Sequence, residues 1–309
     1  NFWLVQGVFA WLVFPLLGAF MANSLPELFS IYGSTGAATL QAVGFGVLWG
    51  VGGLTFGLSM RYLGIALGQS VALGTCAAFG TLIPAMLTGT DLLSPKGLIL
   101  LFAVAVTLVG ITLVGYAGSL RSRNMTEEER RKAIKDFALK KGLLIALLSG
   151  VMSVCFSLGL SAGIPVKEAA IAAGASDLFA QNPVSLLVTF GGFLTNLVYC
   201  LYMNRKNKTG GEIARSSKAV LINNLLFCAL AGLLWYSQFF GLGMGQSFFE
   251  ANSVMMAFSW SILMSLNVVF SNVWGIILKE WKGAGQKAVS FLVIGMAILI
   301  FSLIIPNLF

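Results

Sequence analysis

Trp235, Tyr236 and Gln238 bring large side chains with hydrogen-bonding groups into an otherwise apolar segment, GLLWYSQFFGLGMGQ at 232–246. The spacing of Trp235 and Gln238 puts both on one face of a helix, and Tyr236 lies beside that face. An indole, a phenol and an amide can hydrogen-bond a polar ligand, and the rings can stack on it. A polar group left unpaired in hydrocarbon is costly. We therefore expect Tyr236 and Gln238 to face a hydrated cavity.

Two other apolar segments carry comparable side chains at helical spacing. Trp260 and Asn267 share one face of segment 252–278, and Trp49 lies in the middle of segment 36–60. Tryptophans also anchor helices at membrane interfaces, and a lone asparagine can join two helices by a hydrogen bond. Both a binding role and a packing role are therefore open for these residues.

The composition excludes several kinds of chemistry. The chain contains no histidine, so it has no imidazole relay, no histidine-based triad and no histidine–metal site. Its four cysteines lie in apolar segments without CxxC spacing, which is typical of small buried hydrophobes. A glycine-rich phosphate loop with lysine and a membrane-embedded acid pair are also missing. We expect no enzyme, no metal and no cofactor.

The chain reads as an all-α membrane protein. It is 58% hydrophobic and 10% charged, whereas a soluble domain is about 25% charged. A helix needs about 20 apolar residues to cross a bilayer. Nine segments of that length are predicted to be spans: 2–22, 36–60, 64–88, 95–117, 142–163, 182–203, 219–244, 252–278 and 288–308.

The basic residues predict the orientation of these spans. Of the 19 lysines and arginines, 17 lie in one set of alternate loops or at the helix ends beside them. Only Lys96 and Lys167 lie on the other side. The positive-inside rule places loops 119–141 and 204–218 in the cytoplasm and the C-terminus on the outer face. The net charge of +8 is a topology signal and gives no support to nucleic-acid binding.

Two loops are predicted to hold short helices. In loop 119–141, Thr126 and Glu129 make a capping box that starts an amphipathic helix. In segment 163–177, Pro165 fits a first helical turn and Gly174 a stop. We expect the second helix to lie at the outer membrane interface.

Five motifs occur in order along the chain: FGLSMRYLGIALG (56–68), LKKGLLIALLSG (139–150), IPVKEAAIAAG (164–174), GLLWYSQFF (232–240) and GIILKEWKGAG (275–285). With these motifs the chain resembles the bacterial L-rhamnose/proton symporter family of the drug/metabolite transporter superfamily. The resemblance extends over nearly the whole sequence.

The resemblance implies a helical bundle of ten spans built as two inverted five-helix repeats. Nine spans are present, so the first helix of the ten would be missing from this chain. The first repeat would occupy 1–118, a cytoplasmic linker helix 119–141 and the second repeat 142–309. A weak internal echo, LW followed by FGLSM or FGLGM and then GQS, fits such a repeat.

The resemblance also implies a function and a site. The expected activity is uptake of a small deoxy sugar, L-rhamnose, by proton symport with alternating access across the bacterial inner membrane. Amides would share hydrogen bonds with the hydroxyls and an aromatic ring would stack on the sugar. The candidate binding residues are Trp49, Trp235, Tyr236, Gln238, Trp260 and Asn267. A metabolite or drug exporter and a membrane-embedded transferase are the alternatives.

The residue that couples transport to a cation is less clearly marked. None of the eleven acidic residues lies in the middle of a span. A proton carrier should be a buried carboxylate with a raised pKa. Glu250, just beyond the echo motif, and Glu27 are the nearest candidates. The choice between a proton and sodium as the coupling ion is open, as is the oligomeric state in the lipid bilayer.

Overall fold

The computed structural model describes residues 2–124, 138–212, 217–250 and 253–308, and all its regular structure there is helical. Within those ranges, nine helical spans are long and apolar enough to cross a membrane, which confirms the predicted number. The predicted linker helix falls largely on 125–137, outside the described residues.

The helices follow one another with short connections. In chain order they are α1 Phe2–Val8, a π-helical turn Phe9–Val13, α2 Phe14–Ala22, α3 Leu25–Ser34, α4 Gly36–Leu63, α5 Ile65–Leu87, α6 Pro95–Arg123, α7 Leu139–Ala162, α8 Ile164–Ala172, α9 Asn182–Asn207, α10 Lys218–Gln246, α11 Val254–Ile277, α12 Gln286–Ile304 and a 3₁₀ turn Ile305–Asn307. The first three of these make up the first span, and α7 and α8 share the fifth.

The predicted short helix at 163–177 is present as α8. Pro165 lies in its first turn, where a missing N–H costs no helical hydrogen bond. After its end, Gly174 adopts a φ of 99°, which a residue with a Cβ rarely adopts. Glycine also separates α4 from α5, since Gly64 has a φ of 81°.

The first span is interrupted by the π-helical turn Phe9–Val13. Pro15 follows it, and a proline inside a helix donates no N–H and crowds the carbonyl four residues earlier, here that of Trp11. The turn widens, and the N–H of Phe14 bonds the carbonyl of Phe9. A π-helical turn of this kind frequently marks a functional site.

The chain divides into two compact units, each built from two separate stretches. The first unit comprises Asn1–Val51 and Leu158–Phe248, and the second comprises Gly52–Ser157 and Phe249–Phe309. Buried residues of the first unit include Ala10, Trp11 and Phe193. Those of the second include Leu100, Val104, Phe258 and Ile305. The predicted consecutive halves, 1–118 and 142–309, are a different division, and their inverted relation stays a prediction.

Candidate functional site

Four tryptophans of the first unit lie together, and we call them the tryptophan cluster: Trp3, Trp11, Trp49 and Trp235. The rings of Trp49 and Trp235 are 5.7 Å apart, centre to centre, with 33° between their planes. The Trp11 ring stands edge-on to both, 6.1 Å from each. Trp3 meets Trp11 edge-on at 5.5 Å. Edge-to-face pairs at these distances are favourable.

Glycines make room for the large rings. The Trp49 ring lies against Gly192 of α9, and the Trp11 ring lies against Gly7 of the preceding turn. At either glycine a Cβ would collide with the indole. Small residues let helices approach closely in a membrane. The positions of the rings therefore depend on these glycines as well as on the contacts between the rings.

A buried amide on α9 holds one of the rings. Asn196, 1% exposed, accepts a hydrogen bond from Trp3 Nε1 at 2.8 Å. Its own Nδ2 donates to the Gly192 carbonyl, also at 2.8 Å. Asn196, Trp3 and Trp11 are not among the predicted site residues. An asparagine in the middle of the apolar span 182–203 was the available signal for Asn196.

Trp11 carries an unpaired donor. Its side chain is 3% exposed, and its Nε1–H has no hydrogen-bond partner among the described residues. Buried indole N–H groups usually find a partner.

Three of the predicted site residues, Trp49, Trp235 and Gln238, lie in the first unit. Gln238 is partly buried, and its Nε2 donates to the Trp235 carbonyl at 2.9 Å. The buried ring of Phe239 lies 5.0 Å from that of Trp235. One side of α10 near the cluster thus offers an aromatic surface beside an amide.

Tyr236 is placed differently from the cavity-facing position expected of it. It is 3% exposed, and its hydroxyl donates to Asn182 Oδ1 at 2.8 Å. The Asn182 amide in turn donates to the Phe179 carbonyl. Gly18 lies against this pair, because a Cβ there would be 2.9 Å from the Tyr236 hydroxyl. The phenol thus fastens α10 to the start of α9.

Trp260 and Asn267 belong to the second unit. Trp260 is 5% exposed, its Nε1 donates to the Cys76 carbonyl at 3.2 Å, and its ring stacks on Phe156 at 5.8 Å. Gly80 of α5 makes room for that ring. Asn267 is partly buried on α11. The Trp260 indole thus already has a protein acceptor, unlike that of Trp11.

The two candidate coupling residues lie at helix ends. Glu27, in the first unit, is exposed and caps its own helix: Ser24 N–H donates to its Oε2 at 2.7 Å. That hydrogen bond lowers the pKa of Glu27, whereas a carrier needs a raised pKa. Glu250, between α10 and α11, is also exposed, and its backbone carbonyl accepts bonds from Ser253. The described part of the chain buries no carboxylate.

Neutral aromatic and amide groups on several helices suit a neutral polar solute better than an ion. Rings can cover its C–H face, while amides and the indole N–H can pair with its hydroxyls. Clusters of three or more histidine, cysteine or acidic side chains that could hold a metal are lacking in the described ranges. With nine candidate spans in the part of the chain that the structure describes, these features fit a polytopic membrane transporter.

The family follows from comparison with known proteins. A family model described as L-rhamnose-proton symport protein (RhaT) matches residues 1–308. The chain belongs to this family, and it is accordingly a transporter and not an enzyme. This confirms the resemblance seen in the sequence motifs.

Individual relatives agree with the family match. Proteins named L-rhamnose-proton symporter from Yersinia pestis (strain Pestoides F) and Yersinia pseudotuberculosis serotype O:1b (strain IP 31758) are 37% identical over 306 residues. Each alignment covers 97% of this chain and 86% of the relative. No solved structure matches the chain.

Proposed function

We propose that the chain carries L-rhamnose into the cell together with a proton, by alternating access across a bacterial inner membrane. The family match over residues 1–308 supports this activity. The observation that supports a location for the sugar site is the Trp49–Trp235 ring pair with Gln238 beside it. The exporter and transferase alternatives gain no support from the family.

The substrate site combines stacking and hydrogen bonding. The rings of Trp49 and Trp235 cover the apolar face of the sugar, and Gln238 exchanges its bond to the Trp235 carbonyl for one to a sugar hydroxyl. Tyr236 acts as a positioning residue, because its hydroxyl is already engaged by Asn182. Trp260 and Asn267 stay predicted sugar-binding residues that the binding experiments below leave to be tested separately.

Coupling to the proton is assigned to Glu250 in preference to Glu27. A carboxylate that must be protonated during transport cannot also depend on its charge for a hydrogen bond that holds a helix end. Glu27 makes such a bond to the Ser24 N–H. Among the described residues, no helix cap depends on the Glu250 carboxylate, which lies four residues beyond the end of the α10 helix that carries Trp235 and Gln238.

Transport by purified protein in proteoliposomes tests this function. Labelled L-rhamnose should accumulate when the outside is acidic, and a protonophore should abolish accumulation. Counterflow, which needs no driving ion, should persist under the protonophore. Accumulation that follows a sodium gradient instead would replace the proton in the proposal. Counterflow of other sugars with no preference for L-rhamnose would overturn the substrate.

A further inference from the structure

Within the tryptophan cluster, the indole N–H groups of Trp3 and Trp11 differ in their hydrogen bonding. The Trp3 N–H has a built-in acceptor, Asn196 Oδ1 at 2.8 Å. The Trp11 N–H, on a side chain 3% exposed, has none in the described ranges. A buried donor without an acceptor destabilises the empty protein. Binding of a ligand that supplies the acceptor removes this destabilisation.

The surroundings of Trp11 make a hydroxyl the fitting acceptor. Its ring stands edge-on to Trp49 and Trp235, 6.1 Å from each, so it borders the surface proposed for stacking. An aromatic face accepts a hydrogen bond from an N–H only weakly, whereas a sugar hydroxyl is a full hydrogen-bond acceptor. The residue also lies in the π-helical turn Phe9–Val13, a type of distortion common at functional sites.

We propose that Trp11 is a specificity-determining residue whose Nε1–H donates to one hydroxyl oxygen of the bound sugar. The proposal rests on the proposed function, since the sugar is the one bound by the Trp49–Trp235 pair. A site built to pair a substrate hydroxyl rejects the analogue that lacks it, because the buried partner is left unpaired. Trp11 therefore sets the discrimination between L-rhamnose and one particular monodeoxy analogue.

An isosteric replacement of the indole isolates the N–H. Substituting β-(benzothiophen-3-yl)alanine at position 11 keeps the bicyclic shape and replaces N–H by sulfur. In counterflow, its apparent affinity for L-rhamnose should be about 3- to 10-fold weaker than that of the unmodified chain, as for a lost neutral hydrogen bond. For the monodeoxy analogue that lacks the hydroxyl paired with Trp11, the modified and unmodified proteins should have equal affinity. Trp11→Phe should shift discrimination in the same direction.

The same replacement at Trp274 is the matched control. Trp274 is 60% exposed on α11, and its modification should change neither affinity nor discrimination. A second readout is the indole ¹⁵N–¹H resonance: L-rhamnose should move that of Trp11 downfield and leave that of Trp3 nearly unchanged, because Trp3 is already bonded.

The outcomes separate this inference from the proposed function. Equal affinity of the isostere and the unmodified chain for L-rhamnose would overturn the role of Trp11. So would a loss that is equal for L-rhamnose and every monodeoxy analogue, because that pattern belongs to packing. If the unmodified chain fails to bind L-rhamnose at all, the proposed function falls, and this inference falls with it.

Discussion

Gln238 forms a hydrogen bond that a substrate can replace. Its Nε2 donates to the Trp235 carbonyl at 2.9 Å, and its side chain is partly buried. Gln238→Ala removes the amide that we assign to a sugar hydroxyl, and a neutral hydrogen bond contributes about 0.5–1.5 kcal/mol. Apparent affinity for L-rhamnose in counterflow should therefore weaken about 3- to 10-fold.

The adjacent Ser237→Ala is the control for this change. Ser237 is exposed, and its hydroxyl donates to the Leu234 carbonyl of its own helix, so its loss should leave affinity unaltered. Unchanged affinity of a well-expressed Gln238→Ala variant would mean that this side of α10 serves packing alone.

Gly192 sets the position of the Trp49 ring. A methyl group at Gly192 would collide with that ring, and overpacking of this kind costs about 1–3 kcal/mol. Gly192→Ala should lower the thermal unfolding temperature in detergent and weaken L-rhamnose binding, because the ring must move. On α4, Gly44 has nothing within 4 Å of its Cβ position. Gly44→Ala should bind normally; equal behaviour of the two variants would contradict the assigned contact.

Single residues of the proposed site could be predicted from the sequence only in part. Trp235 and Gln238 were recognisable because helical spacing brought two unusual side chains onto one face of an apolar segment. Trp3 and Trp11 could not be distinguished from interfacial anchors, since their roles come from contacts with α4, α9 and α10. For Tyr236, the sequence did not indicate the hydrogen-bond partner. Its pairing with Asn182, 54 residues away, leaves no trace in local sequence.

At the scale of elements, α3 depends on a charged cap. Glu27 carries a lowered pKa because the Ser24 N–H bonds its carboxylate. A lowered pKa in the folded state contributes stability above the unfolded pKa, and this contribution disappears as the pH falls through the folded pKa. Glu27→Gln should therefore narrow the difference in thermal stability between pH 7 and pH 3.

Other charges near α3 provide the comparison. Helix α8, which packs against α3, carries Lys167 and Glu168. Glu168→Gln is therefore the matched control, because it removes a nearby carboxylate that does not cap α3. If Glu168→Gln narrows the pH dependence as much as Glu27→Gln does, the capping box is not the origin of the effect.

Helices were the most predictable level of the fold. Nine spans follow from runs of about 20 apolar residues, and α8 follows from Pro165 and Gly174, since both residues restrict the backbone locally. The π-helical turn was not predicted. Pro15 signals a local distortion, but a kink, a break and a widened turn all satisfy its missing N–H. The choice among them depends on how Trp11 and its neighbours pack.

At the scale of the whole molecule, the proposal requires a carboxylate that carries the proton coupled to sugar transport. Glu250→Gln should keep counterflow of L-rhamnose and lose accumulation driven by a proton gradient, because a neutral amide cannot carry the proton. Glu27→Gln should retain accumulation, since its carboxylate serves a helix cap. Uptake driven normally by the proton gradient in Glu250→Gln would remove Glu250 from the mechanism. Loss in Glu27→Gln alone would transfer the role to Glu27.

The distribution of the basic residues predicts the orientation of the chain in the membrane. Loop 204–218 belongs to the set that holds 17 of the 19 lysines and arginines, which the positive-inside rule places in the cytoplasm. Gly210→Cys is a suitable probe, because Gly210 is exposed and a Cβ there meets nothing within 4 Å. Ala173→Cys, exposed just after α8, reports the opposite side. With the native cysteines replaced, an impermeant maleimide should label position 173 and spare position 210 in intact cells, and should label both after lysis. Labelling of position 210 alone in intact cells would reverse the topology and place the C-terminus inside.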